Sequence, residues 1–176
     1  MKKFGIGLVL FSCLLLIVLA PIGISHKIQF EKNCKGFLKR AADANTIALA
    51  ESELGKSLAY LESQNITTGS THVFYETPGT EIDFWYQNLK TAHEELKAFP
   101  TDADPLMVSN HLLKFRDTLV DTGEKGSRVT VPRYISLFPN QRIFQLALMT
   151  GLILPIFGFG LAAAEDMAAG KNCCGT

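Results

Sequence analysis

The sequence predicts an all-α, mainly helical membrane protein: two transmembrane helices flanking a small three-helix domain that carries a two-stranded β-ribbon. Three observations carry that expectation. Two apolar runs, Phe4 to Ile24 and Ile143 to Ala164, are each about as long as a helix needs to cross a ~30 Å hydrocarbon core. The segment between them, His26 to Arg142, has the composition of a soluble domain and enough residues for one modest core. Within it, apolar residues recur at steps of three and four, the period of an amphipathic helix. The expected organisation is an anchor or signal over residues 1–25, a helical domain over 26–142, a transmembrane helix over 143–164 and a short tail over 165–176.

The first run supports two readings. Met1-Lys2-Lys3 followed by apolar residues and Gly23-Ile24-Ser25 has the parts of a cleavable secretory signal. Its apolar stretch is longer than the ~7–15 residues of a typical signal core, which favours an uncleaved anchor. Phe11-Ser12-Cys13 is a poor lipoprotein signal, because a bulky Phe precedes the Ser.

The next stretch reads as one long helix from Lys27 to about Gln64. Phe30, Cys34, Phe37, Ala41, Ala44 and Ala48 lie on its stripe, which Ile47, Ala50, Leu54, Leu58 and Leu61 continue. Asn65 to Ser70 stops it with turn-forming residues; Asn65-Ile66-Thr67 is also formally a glycosylation sequon. Thr71 to Tyr75 is rich in β-formers and closed by Pro78-Gly79, and the expected ribbon pairs 71–75 with 128–131. Between those strands Asp83 is the expected N-cap of a helix over Phe84 to Ala98. Asp104-Pro105 starts another that runs to Val120, where Asp121-Thr122-Gly123 stops it. The short turn between these two helices predicts an antiparallel hairpin packed on the long helix.

Pro132 to Arg142 mixes Tyr134, Leu137 and Phe138 with Arg133 and Arg142, the mixture found at a membrane interface. The second apolar run is breached by Gln145 and contains Pro155, both tolerated in a spanning helix. Gly160 and Ala164 form a small-xxx-small pair, a candidate for self-association.

Two spans place both termini on one side of the membrane and the domain on the other. Lys2, Lys3 and Lys171 compete with Lys27, Lys32, Lys35, Lys39, Arg40, Lys125, Arg128, Arg133 and Arg142. Counting basic residues would put the domain in the cytoplasm, but the rule weakens for loops longer than ~60 residues. The Lys-Lys start then favours cytoplasmic termini and an extracytoplasmic domain.

Chemical motifs are scarce. Seventeen basic and seventeen acidic side chains cancel, so no long-range field favours nucleic acid as a partner. Of the histidines His26, His72, His93 and His111, His93-Glu94-Glu95 starts like a zinc-protease helix, but Lys97 stands where the second His is required. His93 and His111 could meet only across the hairpin. Gly123 to Arg128 lacks the Gly-Lys-Ser/Thr helix start of a phosphate loop. Cys34 is the domain's one thiol, so no disulfide framework exists within it. Cys173 and Cys174 are candidate modified thiols, for instance by S-acylation, or incidental residues of a tail. The densest aromatic patch holds the only Trp, and Trp85 with Tyr86 is the candidate interaction or ligand platform. No catalytic, cofactor or metal residues are expected.

The role these features favour is a protein-interaction or scaffold module at the membrane, with the lipid bilayer and an unidentified protein as partners. The alternatives are a ligand-sensing domain working through a partner, and an enzyme. Two spans around a helical bundle resemble, in architecture alone, the front end of bacterial chemoreceptors, which is what the sensing alternative rests on.

Overall fold

In the computed structural model, the described residues are 2–71, 77–123, 126–135, 146–147 and 149–160. The chain divides into two compact units, Met1–Ser25 with Gln141–Thr176, and His26–Asn140.

The first unit is built on helix α1 (Lys2–Phe30) and a shorter apolar helix, α6 (Met149–Gly160). Their contact is made by small residues. A Cβ placed on Gly158 would stand 2.8 Å from Val9 Cγ2 and 2.9 Å from the Gly5 carbonyl oxygen, and one on Gly151 would stand 3.1 Å from Leu16 Cδ2. Gly5 and Ser12 lie two turns apart on α1, as do Gly151 and Gly158 on α6, so each pair shares one helix face. Gly5 meets Gly158 and Ser12 meets Gly151, so the helices run antiparallel. The buried Ser12 hydroxyl donates to the Gly151 carbonyl at 2.5 Å, and Thr150 donates to Leu146 O at 2.8 Å. The outward positions are apolar: Phe4, Leu10, Phe11, Leu14, Ile17 and Val18 on α1, and Leu152, Ile156, Phe157 and Phe159 on α6.

Helix α1 continues through one π-helical turn, Glu31–Lys35, into α2 (Gly36–Ala42). This continuous Phe4–Ala42 helix of 39 residues is, among the described residues, the one long and apolar enough to cross a membrane. The described residues thus hold one such helix rather than the two expected; the described part of the second apolar run, Met149–Gly160, covers about 18 Å at 1.5 Å per residue. The predicted ends at 143 and 164 lie outside the described residues.

The second unit is helical, but it is not the three-helix domain expected. The helix predicted from Lys27 to Gln64 breaks after Ala42, and α3 (Ile47–Ser63) starts afresh. Thr46 has extended backbone (φ −136°, ψ 148°), and its hydroxyl accepts the Leu49 amide, so it caps α3. The chain reverses over Asp43 to Thr46, and α3 packs on α2. Ala41, Ala42 and Ala50 are all buried, and their small side chains permit the close approach. In the π turn the Gly36 amide reaches back to the Glu31 carbonyl.

Helix α4 (Ile82–Lys97) packs on α3, whereas α5 (Pro105–Leu119) packs on α2. The predicted α4–α5 hairpin is thus splayed. The two helices meet near their connecting turn, through the Phe99 and His111 rings 4.7 Å apart and Lys114 with Glu95 at 3.9 Å. Asp104 caps α5 as expected, accepting the Leu106 amide at 3.2 Å. Asp83 does not cap α4. The helix begins one residue before it, and its carboxylate accepts the Gly69 amide at 2.8 Å.

The β-ribbon also differs. Strand β1 (Val120–Gly123) pairs antiparallel with β2 (Gly126–Val129), with Val120 opposite Val129 and Asp121 opposite Arg128. The Asp121 to Gly123 segment read as a helix stop is therefore a strand. Arg128 and Val129 pair with Asp121 and Val120; of the partner segment expected for them, residues 72–75 lie outside the described residues. A 3₁₀ turn, Pro78–Thr80, precedes α4. Thr71 ties that turn to the post-ribbon segment, since its amide donates to Thr80 O at 3.0 Å and its hydroxyl to Arg133 O at 2.5 Å.

Candidate functional site

The splaying of α4 from α5 leaves a groove at the end away from their turn. Its floor is the first two turns of α4, where Glu81, Phe84, Trp85, Asn88 and Leu89 line it. Thr118 near the end of α5 contributes to the walls, as do Thr130 and Pro132 after the ribbon and Pro78 and Gly79 from the 3₁₀ turn. The cavity measures about 220 Å³. Trp85 is buried against it and donates its indole Nε1–H to the Thr130 carbonyl at 2.9 Å. That bond fastens the post-ribbon segment onto α4. Phe84, by contrast, is 67% exposed.

The candidate platform residues Trp85 and Tyr86 face different neighbours, since consecutive helical positions are ~100° apart. Trp85 lines the groove, whereas Tyr86 turns toward α3, where its hydroxyl donates to Glu62 Oε1 at 2.7 Å. Burial, reinforced by the Glu62 carboxylate, pushes the Tyr86 phenol up to about 12.

The histidines are separated too. A Cβ on Gly55 of α3 would stand 3.1 Å from His93 Nε2, so His93 packs where α3 has no side chain. Burial, and secondarily Lys97, hold its pKa below the usual value, against the opposing pull of Glu51 and Glu94. His111 lies over Phe99 instead. Among the described residues, no three His, Cys, Asp or Glu side chains are grouped to hold a metal ion.

Cys34 is fully buried, with its sulfur 3.3 Å from Ser57 Oγ, and burial pushes the thiol up to about 12. A thiol so far from ionisation is a poor nucleophile. Near it the α2–α3 contact contains a buried carboxylate that sequence reasoning missed. Arg40 Nη2 donates to Glu53 Oε1 at 3.1 Å, and Lys56 Nζ to the same oxygen at 2.6 Å. Arg40 Nε stands 3.0 Å from Oε2, off the line of a hydrogen bond, so that contact is Coulombic. Both cations also lie over the Phe37 ring, at 5.9 and 5.7 Å. The i, i+3 spacing of Glu53 and Lys56 was a visible signal; the partner across the unpredicted turn was not.

Among the described residues, no atom lies within 4 Å of where a Cβ on Gly160 would stand, so Gly160 takes no part in the described α1–α6 contact. Ala164, His72, Cys173 and Cys174 lie outside the described residues. No family model matches the chain, and searches of curated proteins and of solved structures find no match.

Proposed function

We propose that this chain is a membrane-anchored interaction protein, in which α1 holds it in the bilayer and the helical unit presents the α4 groove to a protein partner. The observation that carries this reading is the groove, with its exposed Phe84 beside the anchored Trp85. Exposed large apolar groups next to a formed concavity mark contact surfaces on otherwise well-packed domains. Volume favours a protein over a free ligand, because about 220 Å³ is below the ~300–1,000 Å³ of small-molecule sites. The ligand-sensing alternative is weaker for that reason. An enzymatic role finds no support in a thiol and a phenol both driven away from ionisation.

Anchoring is supported by an α1 stretch of about 30 Å from Phe4 to Ile24 without a charged residue. The α1–α6 contact supports placing α6 in the same apolar layer. Its hydroxyls are satisfied by backbone carbonyls, as hydrocarbon requires, and its outward faces are apolar. We favour an extracytoplasmic helical unit with a cytoplasmic N-terminus, the orientation that the Lys2-Lys3 start supports.

Both parts are testable in intact cells. A photoreactive residue at Asn88, in the groove, should yield one reproducible protein adduct that Phe84→Ala abolishes; the same probe at the exposed Lys90 should not. Equal adducts from both positions would sink the groove reading. Buried Cys34 cannot report sidedness, so Ser63→Cys, exposed at the end of α3, is the position to label. An impermeant thiol reagent should modify it without permeabilisation, and protection until lysis would reverse the orientation.

A further inference from the structure

We propose that the groove receives the cationic side chain of an arginine or lysine carried on the partner protein, a step that rests on the protein-binding role proposed above. The case begins with charge. Among the described residues, Glu81 is the one ionisable side chain on the groove wall, and none of the others lining it is a Lys, Arg or His. Trp85, the obvious donor, already gives its N–H to Thr130 O. Thr118 gives its hydroxyl proton to Lys114 O at 3.0 Å, which leaves that oxygen able only to accept. Glu81 is acceptor-only when ionised, and Asn88 adds an amide that can both accept and donate. An ionised carboxylate with no described basic group beside it is matched by a cation that donates hydrogen bonds, and lysine and arginine are the side chains that supply one.

The remaining surface suits the rest of such a side chain. Pro78, Leu89 and Pro132 offer apolar contact to its methylene stem. Phe84 offers an exposed ring face to the cation. Glu81 is also free to act on a ligand, because it occupies the N-cap of α4 in extended conformation and its side chain makes no capping bond. Asp83, two residues on, is occupied by the Gly69 amide.

The sole tryptophan of the chain lines this groove, so its fluorescence reports occupancy directly. The full chain in detergent is titrated with acetyl-Ala-Arg-Ala-amide and with the citrulline peptide, which keeps shape and hydrogen bonds but lacks the charge. The expected result is a saturable change in Trp85 emission, with citrulline binding about tenfold weaker, the size of one charge-assisted hydrogen bond. Glu81→Gln should erase the difference between the two peptides, raised salt should narrow it, and Asp102→Asn, on an exposed turn, should leave it intact. Equal binding of both peptides would overturn the cation proposal while leaving the groove reading standing. So would a peptide response that Glu81→Gln does not touch. No saturable response to the arginine peptide also overturns it, including the case in which the chain's own segment fills the groove. The groove reading itself is decided separately, by the adduct at Asn88.

Discussion

Where α1 meets α6, Gly5, Ser12, Gly151 and Gly158 set the close approach, with Val9, Leu15 and Leu16 packed against the glycines, and the outward faces carry Phe, Leu and Ile. Where α2 meets α3, Leu38, Ala41, Ala50, Leu54 and Cys34 are inside, and Lys39, Arg40 and Lys56 are outside. The first arrangement leaves apolar surface uncovered and gains from close backbone approach and a satisfied hydroxyl. The second removes apolar surface from water, at ~25 cal/mol per Å². A contact of the first kind suits helices surrounded by hydrocarbon, where burying Leu gains nothing over leaving it among lipid tails. The second suits water. The two contacts therefore differ in what breaks them: volume in one, an unpaired charge in the other.

The largest effect is expected from volume at the close crossing. In Gly158→Leu, the new Cβ would meet Val9 Cγ2 at 2.8 Å and the Gly5 carbonyl at 2.9 Å. The carbonyl is backbone and cannot swing aside, so the helices must part. Overpacking of this kind costs about 3 kcal/mol, a large penalty on a single helix pair. A disulfide between cysteines placed at Leu8 and Leu154, formed in the parent chain, should be lost. Gly160→Leu is the control, because nothing stands within 4 Å of its Cβ position. If both variants keep the crosslink, the glycines are incidental and the comparison fails at its first term.

A smaller loss follows from unpairing the buried carboxylate. Arg40→Ala removes two of the three cationic contacts to Glu53, whose side chain is only 2% exposed, and leaves Lys56. The expected cost is about 2 kcal/mol, since one cation remains and Arg40 itself is largely exposed. Glu53→Met removes the charge with its need for a partner and should cost less, because apolar replacement of a buried ion pair is often neutral. Thermal midpoints of the three proteins in one detergent test the order. If Glu53→Met is the more damaging, the carboxylate is stabilising in itself rather than merely tolerated.

These pairings also show where sequence reasoning stopped. The expected helical character of the middle domain, and the Asp104-Pro105 start of α5, depend on local period and capping and were legible. The break at Asp43 to Thr46 was masked because α2 and α3 each bury one face, so the three-and-four spacing runs through Ala41, Ala44 and Ala48 without losing phase. Strand β1 was hidden because Asp121-Thr122-Gly123 is a good helix stop, and only pairing with Gly126 to Val129 makes it a strand. The groove was half legible. Trp85 stood out by composition, but Phe84 as its neighbour on the wall, and Glu81 with it, follow from α4 choosing α3 while α5 chooses α2. Four-residue spacing marks Gly160 and Ala164 as a candidate for self-association between copies, which a contact within one chain does not test. The contact within the chain is matched at two-turn spacing on both helices, Gly151 and Gly158 against Gly5 and Ser12, and no single helix displays that match.

The smallest expected effect separates the two contacts by pH. The α1–α6 pair contributes no titrating partner to its described contact, while the α3–α4 contact includes His93. Burial and Lys97 hold the His93 pKa below its ordinary 6.5, outweighing Glu51 and Glu94. The folded chain therefore binds a proton on His93 less readily than the unfolded chain does. Its contribution to stability is complete above about pH 6.5, the unfolded value, and is lost as pH falls through the lower folded value. Denaturant midpoints of the helical unit should fall between pH 7 and 5, and His93→Gln should flatten part of that decline. Crosslinking at Leu8 and Leu154, with the disulfide formed at a fixed pH after equilibration, should stay level over the same range. A decline that His93→Gln leaves unchanged would rule out His93 as its source and end this part of the comparison.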